Sequence, residues 1–220
     1  MNFDILLKSI PEEVFNTFLE KKTRFDNRKF TDIREFTYIK NALNFYENNL
    51  IGSIGLNKVI LVLKQKPINL EINQQNFPII NIIIDNFNSK KSKNLNKIKD
   101  FVNKLIQNNF VCENQENNNK IFELYITIEN IDGNIYDTIS LSIQKFFEEN
   151  ILGLKIKNNF TSKTLSVINN IILYDPCEIE TKLSDFTFNI IKFNNDKYYI
   201  NKIRGQFINW NLIKEVINNI

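Results

Sequence analysis

The chain has 220 residues, a net charge of +3 at neutral pH and an isoelectric point near 8.7; this permits an acidic partner such as RNA but falls short of the charge density of a dedicated nucleic-acid binder. With 43% hydrophobic and 24% charged residues it can bury a core, which excludes wholesale disorder. It contains no histidine, so His triads, His bases and His metal sites are excluded, leaving carboxylates, Lys, Tyr and two Cys for any chemistry.

At roughly 100–200 residues per domain the length suits one large domain or two small ones, and the chain is read as one domain over residues 1–220. Cys112 and Cys177 are far apart and make no metal spacing; they are expected to be free thiols in a reducing compartment. No signal peptide precedes the first charged residues. The longest apolar runs fall well short of the roughly 20 residues of a membrane helix, so no membrane partner is expected. The excess of Asn, Ile, Lys and Phe over Ala and Gly reflects nucleotide bias, and polar Asn runs, including the sequon Asn159-Phe160-Thr161, are discounted as signals.

In chain order, residues 11–22 read as a helix: Pro11 suits a first turn, Glu12 and Glu13 favour its positive end, and Val14, Phe15, Phe18 and Leu19 form one stripe. Arg24-Phe25-Asp26-Asn27-Arg28 follows, with Arg34 six residues on. A carboxylate between two guanidinium forks can bridge them, so this loop can pin the start of the domain. Residues 35–45 alternate as a long strand. Gly55 then leads into Val59–Leu63, five apolar residues expected to be covered on both faces. Pro67 and Pro78 bracket a connection to Ile79–Ile84, read as another buried strand, so the sheet is expected to be antiparallel or mixed.

Residues 89–99 form the most basic stretch. Leu95, Ile98, Val102, Leu105 and Ile106 mark an amphipathic helix there, and Lys90, Lys91 and Lys93 are candidate RNA contacts beside the plainer reading of a solvated helix face. Phe110-Val111-Cys112 closes the segment before an Asn-rich linker. From Ile121, the residues Phe122, Leu124, Ile126 and Ile128 alternate with polar ones, the period of a strand with one face in a core. Asp132-Gly133-Asn134 turns the chain, and Asp137 is expected to cap a helix carrying Ile139, Ile143, Phe146 and Phe147.

Beyond that helix, Leu154, Ile156 and Phe160 read as a short strand or loop and residues 167–174 as a strand ending in Asp175-Pro176. Asp175, Glu178 and Glu180 could hold a hydrated magnesium ion, cap a helix, or make a surface loop. Phe186, Phe188 and Ile190 alternate with Thr187 and Asn189, and Asn194-Asn195-Asp196 turns the chain into residues 198–203, completing a hairpin that Gly205 ends. A short helix over 210–220, with Trp210, Ile213, Ile217 and Ile220 on one face, closes the chain.

Taken in this order, the motifs resemble the RNase PH-like subunits of the eukaryotic RNA exosome. Those subunits open with Arg-x-Asp-Gly-Arg and a later Arg, matched by Arg24, Asp26, Arg28 and Arg34. Asn27 stands where they carry Gly, a mild departure because Asn also visits the left-handed region. Gly55 and Val59 match Gly-Asn-Thr-x-Val, Cys112 matches a small buried residue ending a helix, and Asp132, Gly133, Asn134 and Asp137 match the central turn and helix. Asp175, Pro176 and Gly205 match the last third.

The resemblance implies an α+β RNase PH-like fold, with mixed and antiparallel sheets packed against helices. It also implies a six-membered ring of similar subunits, cap subunits with RNA-binding domains, and RNA in the central channel. The setting it implies is the nucleus, including the nucleolus, and the cytoplasm. The opening motif and the Asp-Pro turn resemble the non-phosphorolytic partner type. Active relatives grip phosphate with an Arg pair or a Gly-Ser-Arg segment, whereas this chain has no Arg between Arg34 and Arg204. Gly52-Ser53-Ile54 lies too early for that segment, and Asp185 is an acid without a clamp. The expectation is therefore a non-catalytic ring subunit with no catalytic residue, cofactor or metal, which supports 3′–5′ RNA processing and degradation, rRNA processing included. The alternatives are an active phosphate-dependent 3′–5′ exoribonuclease using Lys in place of Arg, and an unrelated α+β binding module.

Overall fold

The computed structural model describes residues 11–66, 79–86, 95–107, 109–112, 121–148, 151–194, 197–205 and 210–218. Its first sheet is built from β1 (Phe36–Lys40), β2 (Asn49–Ile54), β3 (Asn57–Lys66), β4 (Ile79–Asn86) and β6 (Ile121–Asn130), in the order β1-β2-β3-β6-β4. The alternation expected from Ile121 holds: Phe122, Leu124, Ile126 and Ile128 are all fully buried. Strand β6 pairs antiparallel with β3 and parallel with β4, so the sheet is mixed.

Two strands differ from their sequence patterns. The first is half the expected length, because the chain leaves the ladder at Asn41, which takes a positive φ of 52°. The run Ile79–Ile84 is an edge strand rather than a buried one: among its described side chains only Ile82 is buried, and Ile83 is exposed. An apolar run alone does not say how many faces are covered.

Helices α2 (Leu95–Gln107) and α3 (Ile135–Phe147) pack on this sheet. Ile98, Phe101, Val102, Leu105 and Ile106 of α2 join Ile139, Ile143, Phe146 and Phe147 of α3 in one apolar cluster with β3 and β6. A two-stranded ladder pairs β5 (Phe110–Cys112) with β7 (Leu154–Ile156). The side chain of Cys112 lies outside the described residues.

The second sheet has the order β11-β10-β8-β9, from β8 (Phe160–Ile168), β9 (Ile171–Tyr174), β10 (Phe186–Phe193) and β11 (Tyr198–Arg204). The stretch expected as one strand over 167–174 is a hairpin instead. Asn169 and Asn170 take φ of 49° and 63°, the geometry of a two-residue turn with both central residues left-handed. Phe160 likewise opens β8. The hairpin β10–β11 forms as expected.

Both faces of β10 are covered. Phe186, Phe188 and Ile190 meet Ile213 and Val216 of the closing helix α5 (Trp210–Asn218), while Asn189 and Ile191 turn toward α3 and the first core. Thr187 and Asn189, which alternate with those apolar residues, are therefore buried as well. The first helix, α1 (Pro11–Glu20), ends two residues short of the expected 11–22, and its Phe15 and Leu19 pack on Ile168 and Leu173. A short helix α4 (Glu178–Leu183) lies between β9 and β10. Among the described residues no helix is long and apolar enough to cross a membrane.

Candidate functional site

The loop after α1 drives Arg24 into the interior, where its side chain is fully buried. Its guanidinium makes a two-pronged pair with Glu180 of α4, Nε donating to Oε1 at 2.8 Å and Nη2 donating to Oε2. The remaining N–H groups donate to the carbonyls of Asp32, Tyr174 and Asp175. Such a planar fork satisfies several acceptors at once, which a lysine could not do. Asn27 takes a φ of 63°, so it performs the glycine's role in this turn, as its chemistry suggests.

Asp175 is the second hub. Its Oδ2 accepts from Arg28 Nη1 and Arg34 Nε, both at 2.8 Å, and Oδ1 accepts from Arg34 Nη2 at 2.9 Å and Asn134 Nδ2 at 3.0 Å. Burial alone would raise this carboxyl, but the hydrogen bonds and charge of Arg34 outweigh it and hold it below its ordinary value. Asp175 also takes a positive φ of 48°, and its carbonyl faces Arg24 and Arg28 while its carboxylate faces Arg28 and Arg34. Arg34 reaches on to Asp132. Asp26, expected to bridge Arg24 and Arg28, pairs directly with Arg28 alone.

The central turn is tied into the same cluster. Asn57, fully buried, accepts from the backbone N–H of Asp132 and donates to the carbonyls of Asp132 and Asn134. Gly133 has a φ of 74°, and a Cβ there would strike the backbone of Pro176 and Cys177. The cap of α3 is Asn134 rather than Asp137: its side chain accepts from the N–H of Asp137. Asp137 lies one turn inside, completely buried, where Asn134, Ser162, Thr164 and Asn189 all donate to it. Burial pushes its carboxyl upward, against those four donors.

Asp175 and Glu180, read from sequence as possible magnesium ligands, are thus counterions, Glu180 to the buried Arg24 and Asp175 to the half-buried Arg28 and Arg34. Glu178 pairs with Lys182 at 3.0 Å along α4, and its N–H donates to Asp132. Among the described residues no group of three His, Cys, Asp or Glu side chains could hold a metal ion. Cys177 is free, its thiol pushed up to about 12 by burial and the Glu180 charge, so it is no nucleophile at neutral pH. Three guanidinium groups thus face the carboxylates of Asp26, Asp132, Asp175 and Glu180, each of which accepts from at least one of them.

Comparison with solved structures fits this architecture. An archaeal exosome core chain superposes with a TM-score of 0.73 at 20% identity, covering 99% of this chain and 94% of that one. A chain of the Archaeoglobus fulgidus exosome with RNA bound to the active site gives 0.73 at 19%, covering 97% and 94%. Rice (Oryza sativa) Rrp46 gives 0.74 at 13%, covering 89% and 91%. The chain has the RNase PH-like fold. Neither a family model nor a curated protein matches its sequence.

Within this RNase PH-like fold the structure brings Arg24, Arg28, Arg34, Asp132, Gly133, Asn134, Asp175 and Pro176 into one cluster. Gly55, at φ 56°, lies against the Arg34 side chain, and Asp137 joins through Asn134. Gly205, at φ 92°, is apart from it and abuts Asp185 and Phe186. Lys90, Lys91 and Lys93 fall outside the described residues. Sequence reading missed Asn57, Ser162, Thr164 and Asn189 as partners. A cavity of about 340 Å³ opens beside Gly133, lined by Tyr136, Glu178 and three cations, Lys97, Lys182 and Arg204.

Proposed function

We propose that this chain is a non-catalytic subunit of an exosome-type ring, which lines the RNA path and braces its neighbours without cutting RNA itself. The observation that carries the reading is the use of guanidinium groups. The chain has four arginines, and Arg24, Arg28 and Arg34 are all held on internal carboxylates. Stabilising an attacking phosphate needs preorganised donors aimed at the reacting centre, and these three aim at Asp175, Asp132 and Glu180 instead.

A neighbouring subunit is supported by the edge at β1. Its outer side pairs with no strand among the described residues, and Tyr38 and Ile39 on it and Phe45 just after it are exposed, Phe45 by 95%. An edge strand bearing apolar side chains invites pairing with another chain. Similar ring subunits are the partners this reading names, with cap subunits and RNA beyond them, in the nucleus, nucleolus and cytoplasm.

Arg204 favours one second reading, an active phosphate-dependent exoribonuclease. Its Nη1 donates to the Thr181 carbonyl rather than to a carboxylate, and it shares the 340 Å³ cavity with Lys97 and Lys182. Incubating the purified chain with RNA and inorganic phosphate separates the two. The non-catalytic reading expects no nucleoside diphosphate, and steady diphosphate release would establish the other.

A further inference from the structure

The cavity of about 340 Å³ beside Gly133 forms where the starts of α2 and α3, the short helix α4 and the end of β11 meet. Its floor is apolar: Ile98, Ile135 and Tyr136 are buried, and Ile131 and Ile203 are partly buried against the same core. The Tyr136 ring is held edge-on to Phe101, with centroids 5.0 Å apart. The charged lining residues Lys97, Lys182 and Arg204 are exposed. Glu178, the one acid among the described lining residues, pairs with Lys182 at 3.0 Å. That leaves Lys97 and Arg204 as cations with no carboxylate partner among the described residues. Arg204 Nη1 donates to the Thr181 carbonyl, which ties the guanidinium to α4 and leaves further N–H groups of the fork for a ligand.

A ligand with polar groups on every side would leave some of them unpaired against four isoleucines, at the cost of their hydration. That argues against inorganic phosphate and against a nucleotide's sugar on this floor. A ligand apolar at one end and anionic at the other suits it, because sites of this volume combine apolar walls with a few convergent polar groups. A carboxylate is the anion that a guanidinium fork matches with two parallel bonds while carrying a single charge. We propose that this cavity binds a small monocarboxylate with an apolar body, its chain against Ile98, Ile135 and Ile203 and its carboxylate on Arg204, with Lys97 adding charge. The inference goes beyond the ring-subunit reading and needs neither RNA nor a neighbouring subunit.

The test titrates butanoate, hexanoate and octanoate into the full chain and follows the ligand signals by NMR, with octanamide and inorganic phosphate as comparators. Affinity should rise roughly threefold with each added methylene, and octanamide should bind about tenfold more weakly than octanoate. Arg204→Gln should weaken octanoate about tenfold and leave octanamide unchanged. Ile203→Thr, which keeps a β-branched residue in the strand, should weaken octanoate more than butanoate. Arg204 is exposed, so an unchanged melting temperature shows that its variant folds, and that variant decides the outcome if Ile203→Thr melts lower. No saturable octanoate binding at millimolar concentration, equal binding of acid and amide, or an affinity untouched in Arg204→Gln would overturn the assignment. Inorganic phosphate binding more tightly than octanoate would overturn it too, in favour of the phosphorolytic reading. Nucleoside diphosphate release reports that reading separately, so failure here and failure of the proposed function are distinguishable.

Discussion

Arg24 and Glu180, 156 residues apart in sequence, meet in the interior as a two-pronged ion pair in which Nε lies 2.8 Å from Oε1 and both side chains are shielded from water. Taking two charges out of water is costly, and the pair survives because Arg24 donates to three carbonyls as well. Removing one partner leaves the other charged and buried. Arg24→Leu is expected to cost about 3–5 kcal/mol, measured by urea unfolding. Arg24→Leu with Glu180→Leu should cost less than the two single changes summed; strict additivity would mean that the pair is not coupled.

Asp175 gives the cluster an acid limit. Its folded carboxyl is held below the value it has in the unfolded chain, so its stabilisation is complete above roughly pH 4 and lost as pH falls through the folded value. Asp137 works in the opposite sense: its raised carboxyl opposes folding at neutral pH, and that opposition is relieved as pH falls toward the unfolded value. Urea midpoints should decline steeply below about pH 4. Asp175→Asn should be less stable at neutral pH and show a flatter acid limb. An acid limb of unchanged slope would contradict the assignment.

Four donors converge on the two oxygens of Asp137. An asparagine there must turn its amide N–H₂ toward two of them. Asp137→Asn is therefore predicted to destabilise by roughly 1–3 kcal/mol despite removing a buried charge. A stabilised variant in thermal unfolding would show that the charge is the larger cost.

Two left-handed positions should behave differently. Asn27 lies in an exposed turn, so Asn27→Gly is expected to change stability by less than about 0.5 kcal/mol. Gly133→Ala combines a positive φ with a clash against the Pro176–Cys177 backbone, and should cost more than the roughly 1–2 kcal/mol of the backbone conformation alone. Melting temperatures of the two variants check the ordering.

Much of this was legible because it is local. The alternation in β6, the Asp132-Gly133-Asn134 turn and the stripes on α2 and α3 each lie within a few residues and follow from one period or one turn rule. The arginine-rich loop and the Asp175-Pro176 turn were visible as motifs, and the fold they resembled is the fold found. Their partners were not visible, because Arg24–Glu180 and Arg34–Asp175 join residues more than 140 positions apart. Asn134 was passed over as the cap because Asp137 has the same chemistry three residues on. The burial of Asn189 was not visible because period two says which residues share a face, not whether a second layer covers the other one. Inward-facing polar residues in β8 and β10 were the available signal for Asp137's partners.

The central claim is that Arg24, Arg28 and Arg34 hold the fold and do not grip phosphate. Its most direct test is nucleoside diphosphate release from single-stranded RNA by the purified chain in excess inorganic phosphate, alongside Arg204→Ala. The account predicts no release above a protein-free blank for either protein; release that rises with phosphate and falls in Arg204→Ala would contradict it.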